Sequence, residues 1–149
     1  MRVVIQRVKH AKVHIDGKVY SSIKEGLLIL LGIETEDNLE DIDWLCGKIA
    51  RLRIFGDEKG QMNLSICDVQ GSCLIVSQFT LHASTKKGNR PSYIRAAQPE
   101  IAIPLYEKFV SSLKNETQLD VQTGIFGANM QVELINDGPV TIWMDSKNK

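Results

Sequence analysis

The chain opens on Val3-Val4-Ile5-Gln6-Arg7-Val8, rich in β-branched residues, which predicts a strand. Val13 and Ile15 then alternate with Lys12 and His14 up to Asp16-Gly17, a two-residue signal for a tight hairpin, with Lys18-Val19-Tyr20 returning. Residues 26–33 (GLLILLGI) are apolar on both parities, as in a strand covered on both faces at the centre of a sheet. The period then changes. Leu39, Ile42, Leu45, Cys46, Ile49 and Leu52 recur at three- and four-residue steps, which predicts an amphipathic helix, with Asp37 as N-cap and Glu40 reaching back to it. Residues 56–60 are turn material and residues 68–71 another bend. Leu74-Ile75-Val76 begins a buried strand that should run on through Ser77-Gln78-Phe79-Thr80-Leu81, before a long basic loop over residues 83–99.

A second helix is expected from Pro99, with Leu105, Phe109, Val110 and Leu113 on one face and Pro104 bending it or delaying its start. Three more strands are expected at residues 119–126, 130–136 and 140–144, the last two separated by Asp137-Gly138-Pro139. Two main helices among about seven strands imply an α/β fold: a single domain with a largely antiparallel or mixed sheet curling toward a barrel.

At 149 residues there is room for one domain, 1–149, and a chain of this size buries roughly 70% of its unfolded surface, so its core needs no disulfide or metal. The basic and acidic side chains balance to a formal net charge of +0, so any nucleic-acid contact must come from a local patch. The longest apolar run is far below the ~20 residues of a membrane helix, so no membrane association is expected and the cytoplasm is the expected compartment. Cys46, Cys67 and Cys73 form no Cys-x-x-Cys pair and read as buried thiols. His10 and His14 share strand parity but have no third ligand nearby, so neither a metal nor a cofactor is expected.

Chemistry concentrates where the buried strand turns polar. By period-two parity Gln78, Thr80 and His82 share one face and Ser77 and Phe79 the other. Two readings stand: a ligand-facing strand end, or hydroxyls that satisfy neighbouring backbone groups. Thr80 and His82 would lie ~7 Å apart, too far for a direct hydrogen bond, so spacing defines no hydroxyl-nucleophile triad. Backbone N–H groups around Phe79 and Thr80 could hold an oxyanion while water or a substrate hydroxyl performs the attack. Gly138-Pro139 reads by statistics as a trans turn, since only ~5–6% of such bonds are cis. A cis bond would aim rigid carbonyls at an ammonium group. Lys86, Lys87, Arg90 and Arg95, with Tyr93 interleaved, are either a solvated surface loop or a contact for phosphates and a base.

Taken in order, MRVVIQRV, SQFTL, KKGNRPSY, YEKFV, TGIFGANMQVEL and NDGPVT resemble the D-aminoacyl-tRNA deacylase family, also called D-tyrosyl-tRNA deacylases, over nearly the entire chain. The resemblance implies hydrolysis of the ester between a D-amino acid and the terminal adenosine of tRNA, in a homodimer whose sites lie at the subunit interface. It makes aminoacyl-tRNA the expected partner, Ser77, Gln78, Phe79 and Thr80 the catalytic pocket, and Gly138-Pro139 a cis motif inserted from the partner subunit. It also implies that Arg7 holds that motif and that Met130 lines the pocket; with tRNA as the substrate, the basic loop's Lys86, Lys87, Arg90 and Arg95 are the expected contacts for it. His82 has no place in the pattern. If the Gly138 and Pro139 carbonyls fix the substrate ammonium, an L side chain would strike them and a D side chain would point away; glycine, with nothing to exclude, should be cleaved too. The alternatives are a nonhydrolytic nucleic-acid-binding dimer and a small esterase using Thr80 or Ser77.

Overall fold

The paired strands β1 (Arg2–Ile15), β2 (Lys18–Ile23) and β3 (Gly26–Gly32) lead the chain, and the computed structural model describes all of residues 1–149. Asp16 and Gly17, both at positive φ, make the first turn. There follow helix α1 (Leu39–Arg51), a small hairpin of β4 (Phe55–Gly56) and β5 (Met62–Leu64), strand β6 (Ser72–Ser77), one 3-10 turn (Phe79–His82), helix α2 (Pro99–Thr117), and strands β7 (Val121–Thr123) and β8 (Gln131–Asp145).

β1 is antiparallel to β2, β3 and β8, whereas β3, β6 and β7 run parallel, so the sheet is mixed. β3 and β2 share one edge of β1 in succession, and β8 takes the whole of the other. The sheet path β2-β1-β3-β6-β7 curls until Ser21 Oγ of β2 donates to the Thr123 carbonyl of β7 at 2.8 Å, giving the barrel-like α/β domain expected. β3 is apolar on both parities for a physical reason. Leu27, Ile29 and Leu31 pack under α1 and α2 with Ile42, Leu45, Ile49, Phe109 and Leu113, while Leu28 joins Val8, Ala11, Val13, Ile23, Leu74 and Val76 inside the curl. No helix is long and apolar enough to cross a membrane.

Four local expectations change. The α1 N-cap is Asn38, not Asp37: Asn38 Oδ1 accepts from the Glu40 amide at 2.8 Å, and Asp41, rather than Glu40, reaches back to the Asn38 amide at 2.9 Å. Asp37 is unavailable because its carboxylate takes the Met1 ammonium and the Glu34 amide. Burial raises the Asp41 pKa, but bonds from Lys147, Ser146 and the Asn38 amide outweigh it and bring the group to about 2. In α2, Pro104 neither delays nor ends the helix; the bond it forfeits belongs to the Glu100 carbonyl on an exposed stretch of the first turns. The buried face is Ala102, Tyr106, Phe109, Leu113 and Thr117, so Leu105 and Val110 flank it. β7 is shorter than the segment 119–126, since Leu119 and Phe126 leave the ladder to pack against the core. Finally, the two expected C-terminal strands are one strand, β8, with an outward excursion in its middle.

Cys46 and Cys73 are buried and free, and burial pushes both thiols up to about 12. His10 and His14 do not converge on a ligand set; His14 Nε2 meets Glu133 Oε2 at 3.1 Å instead.

Candidate active site

The expected strand through SQFTL stops at Ser77. The Gln78 amide still donates to the Leu31 carbonyl at 2.7 Å, but the Leu81 and Ala83 amides turn back to the carbonyls of Gln78 (3.2 Å) and Thr80 (3.0 Å), closing the 3-10 turn. The turn folds directly over Gly32, where a Cβ would stand 2.9 Å from both the Gln78 carbonyl oxygen and Leu81 Cβ. Arg2 pins it from outside: its Nη1 donates to the Leu81 carbonyl and its Nε to Asp145, both at 3.0 Å. Alternation of faces therefore fails after Ser77. Gln78 and Thr80 do meet, Nε2 of Gln78 donating to Oγ1 of Thr80, but His82 is buried beneath the turn with neither ring nitrogen bonded. Burial pushes the His82 pKa down, and the ring makes no bond to Thr80, whose hydroxyl is met by Gln78 instead. As the first residues of a helical turn, Phe79 and Thr80 present amides without an intrahelical acceptor.

Ser77, Gln78 and Phe79 line a mainly apolar cavity of about 300 Å³, closed by Ala97 and Ala102 at the start of α2 and by Phe126 and Met130 after β7. The volume sits at the lower end of small-ligand sites, ~300–1,000 Å³. Met130 folds in because Gly124 has no side chain; a Cβ there would lie 2.4 Å from the Met130 sulfur. Phe79 remains 54% exposed, and its ring meets Tyr93 edge-on at 5.0 Å between centroids. Sequence reasoning passed over Gly32, Arg2 and Gly124, whose importance depends on contacts between distant segments.

The second group of expected residues gathers elsewhere. Along β1, Gln6 pairs with Thr141 and Val8 with Asn136, so residues 137–140 loop out of β8 opposite Arg7. Asn136 clasps the base of this excursion, accepting from the Val140 amide at 3.0 Å and donating to Thr141 Oγ1 at 2.9 Å. Arg7 holds its flank: Nε donates to the Asp137 carbonyl at 3.1 Å and lies 3.4 Å from the Asp137 carboxylate, while Nη1 donates to the Ile54 carbonyl. Gly138 has φ +131, and an added Cβ would stand 2.8 Å from Val140 Cγ2 and 3.0 Å from Arg7 Nη2, so glycine is required there. The Gly138–Pro139 peptide is cis where bare statistics favour trans. Arg7, Gly138 and Pro139 border a groove of about 510 Å³ with Phe55 and Met62 of the small hairpin, and this groove shares no residue with the cavity at Ser77–Phe79.

The basic segment is a loop with a fixed neck. Ser84 and Ser92 exchange backbone hydrogen bonds of 2.8 and 2.9 Å, leaving Lys86, Lys87 and Arg90 exposed on the tip. Arg95 is committed to the buried Glu34 carboxylate, with Nη2 at 2.7 Å and Nε at 3.1 Å, and this partner raises its pKa.

The same architecture recurs among known proteins. A chain from Flavobacterium johnsoniae named D-aminoacyl-tRNA deacylase is 63% identical over 149 residues, covering 100% of this chain and 99% of that one. One of the same name from Bacteroides fragilis is 64% identical over 149 residues with the same coverage of 100% and 99%. A solved structure described as the c-Myc DNA unwinding element binding protein superposes with a TM-score of 0.92 at 40% identity, over 97% of this chain and 98% of that one. Fold, cavity and full-length likeness thus define an enzyme of the deacylase class, a hydrolase. The chain belongs to the D-Tyr-tRNA(Tyr) deacylase family, whose sequence profile matches residues 4–145.

Proposed function

We propose that this chain hydrolyses the ester joining a D-amino acid, or glycine, to the terminal adenosine of tRNA, in sites that two copies of the chain build together. The observation that carries the shared site is the separation of the two residue groups. Ser77, Gln78, Phe79 and Met130 line one cavity, with Thr80 following Phe79 in the 3-10 turn, and Arg7, Gly138 and Pro139 border another. Within one chain the two groups border separate spaces that share no residue. Between two chains they can meet at one substrate, and β8 supplies the means: a 15-residue edge strand without a partner on its far side, carrying a half-buried row of Val132, Leu134, Val140, Ile142 and Met144.

In this reading the cavity receives the terminal nucleoside, and the Phe79 and Thr80 amides face the ester carbonyl. The attacking water forms the new bond to the carbonyl carbon, the ester C–O bond breaks, and the ribose oxygen leaves with a proton, giving free amino acid and tRNA. No side-chain base is placed for a hydroxyl nucleophile: Thr80 already accepts from Gln78, and His82 is buried away from it. That supports assistance by the 2′-hydroxyl of the substrate over direct attack by Thr80. The Gly138 and Pro139 carbonyls of the partner subunit accept from the substrate ammonium. With ammonium and ester fixed, an L side chain meets the carbonyl wall and a D side chain does not, so selection works by exclusion and ignores side-chain identity. Lys86, Lys87, Arg90 and the tethered Arg95 meet tRNA phosphates, in keeping with a cytoplasmic substrate.

Matched D-tyrosyl-, L-tyrosyl- and glycyl-tRNA test the reading: cleavage of the D and glycyl substrates alone is expected, and equal release of both enantiomers would overturn it. A terminal 2′-deoxyadenosine should abolish turnover, whereas a small esterase using Thr80 or Ser77 would cleave simple activated esters. A second reading, a nonhydrolytic nucleic-acid-binding dimer, is favoured by the exposed basic loop and by the DNA-binding name of the 40%-identical solved structure. It predicts tRNA binding with no release of either enantiomer.

A further inference from the structure

Tyr93 is the aromatic residue on the basic loop that the cavity does not use. It is absent from the cavity wall, yet its ring is held edge-on against Phe79, which does line it, at an interplanar angle of 71°. Its position is also fixed from both sides. On one side Ser92 is bonded to Ser84 across the loop neck; on the other, Ala96 pairs with Glu34, the Arg95 carbonyl accepts from the Thr35 amide at 3.4 Å, and the Arg95 guanidinium grips the Glu34 carboxylate. Despite these anchors Tyr93 stays 38% exposed, and Ile94 beside it is 88% exposed. Apolar surface held rigid and left open is poorly explained by loop packing alone. Phe79 lines the cavity, Tyr93 touches Phe79, and Tyr93 directly follows the Ser84–Ser92 neck of the loop whose exposed tip carries Lys86, Lys87 and Arg90 around Gly88 at φ +67. That sequence of surfaces matches a single RNA strand leaving the cavity: a nucleoside, a stacked base, then phosphates.

We propose that Tyr93 is a second base-stacking position, which receives the nucleotide immediately 5′ of the terminal adenosine, and that the ring, not the hydroxyl, does this. The proposal rests on the deacylase reading and adds a subsite to it. Stacking accepts any base, so this position adds affinity for a single-stranded end without reading its sequence. It also separates two jobs on adjacent rings: Phe79 serves the nucleoside in the cavity and Tyr93 the one outside it.

The test is competitive inhibition of D-tyrosyl-tRNA cleavage by adenosine 5′-monophosphate and by the dinucleotide cytidylyl-adenosine, with the wild type, Tyr93→Ala and Tyr93→Phe. For the wild type the dinucleotide should inhibit about tenfold more strongly than the mononucleotide, in line with the usual effect of one base stacked on an aromatic ring. Tyr93→Ala should lose that advantage while its inhibition by the mononucleotide is unchanged, and Tyr93→Phe should keep it. A dinucleotide no better than the mononucleotide for the wild type overturns the proposal. So does a Tyr93→Ala variant that weakens both inhibitors equally, since Tyr93 would then merely prop Phe79. In either case cleavage of D-tyrosyl-tRNA by the wild type leaves the deacylase reading standing, whereas a wild type that cleaves no D-tyrosyl-tRNA brings down both.

Discussion

Replacing Arg7 by alanine should damage stability and enantiomer selection together. The guanidinium donates to two backbone carbonyls, Asp137 on the excursion and Ile54 before the small hairpin, and its side chain is only 14% exposed. Removing it leaves both acceptors without their donor, and bonds from a charged donor contribute roughly 1.5–3 kcal/mol each. The accompanying ion pair with Asp137, itself partly solvated, adds less than about 1 kcal/mol. After relaxation and water entry, a loss of about 3 kcal/mol is expected. Urea unfolding at one fixed protein concentration reads this as a lower midpoint, the concentration being fixed because a dimer's stability depends on it. Deacylation of matched D- and L-tyrosyl-tRNA, measured below the transition where the variant is folded, reads the second effect. Without the Arg7 brace the Gly138–Pro139 excursion is held by Asn136 and by the more exposed Lys9–Asp137 ion pair at 3.3 Å, so the D-to-L ratio should fall at least tenfold. Arg7→Lys keeps the charge but cannot reach both carbonyls as a fork, and it should regain no more than about half of the lost stability. An alanine variant with an unchanged urea midpoint and an unchanged D-to-L ratio would refute the reasoning.

The remaining predictions concern the turn and the loop. His82 is buried and its pKa lies below the ordinary value of about 6.5, so the unfolded chain binds the extra proton first; its contribution to stability is intact above about pH 6.5 and is lost as pH falls below it. Thermal unfolding across that window should show the decline in the wild type and a flatter profile in His82→Gln; parallel profiles would contradict this. Thr80→Ala should lower kcat by less than about tenfold, because a true nucleophile would cost on the order of 10⁴ or more. Changing Lys86, Lys87 and Arg90 together to alanine should reduce the slope of log affinity for tRNA against log salt by about 2, at roughly 0.7 for each phosphate contact on a single strand. An unchanged slope would place the RNA elsewhere.

What could be read in the sequence is what local pattern determines. The double-parity apolar run of β3 announces burial on both faces, and the spacing from Leu39 to Leu52 announces α1, because those periods record which side chains meet the core. The errors fall where a distant contact overrides the local signal. Asp37 has the chemistry of an N-cap but is taken by the chain's own first residue, 36 positions away, so the cap moves to Asn38. The SQFTL segment alternates well enough for a strand, yet a bare Cα at Gly32 lets it fold into a turn, and no pattern near Phe79 reports on Gly32. Asp137-Gly138-Pro139 carries a turn signal, so two strands are the natural expectation; continuity through β8 depends on Asn136 and Arg7 stapling the excursion from either side. The polar strand end at residues 77–80, Gly138-Pro139 and the basic loop stand out in the sequence itself, and Arg7 and Met130 enter through the resemblance, while the division into two separate clusters emerges only in three dimensions.

A hybrid dimer provides the most direct test. One subunit carries Gln78→Ala and Phe79→Ala in the cavity, the other carries Gly138→Ala and Pro139→Ala, and distinct affinity tags allow the mixed species alone to be purified. Each parent homodimer should be inactive on D-tyrosyl-tRNA. In the hybrid, the intact cavity of one subunit faces the intact excursion of the other, so one of its two sites is whole and about half of the wild-type activity should return. A hybrid as inactive as its parents would mean that cavity and excursion must reside in the same chain, and the account of a site built by two copies would be wrong.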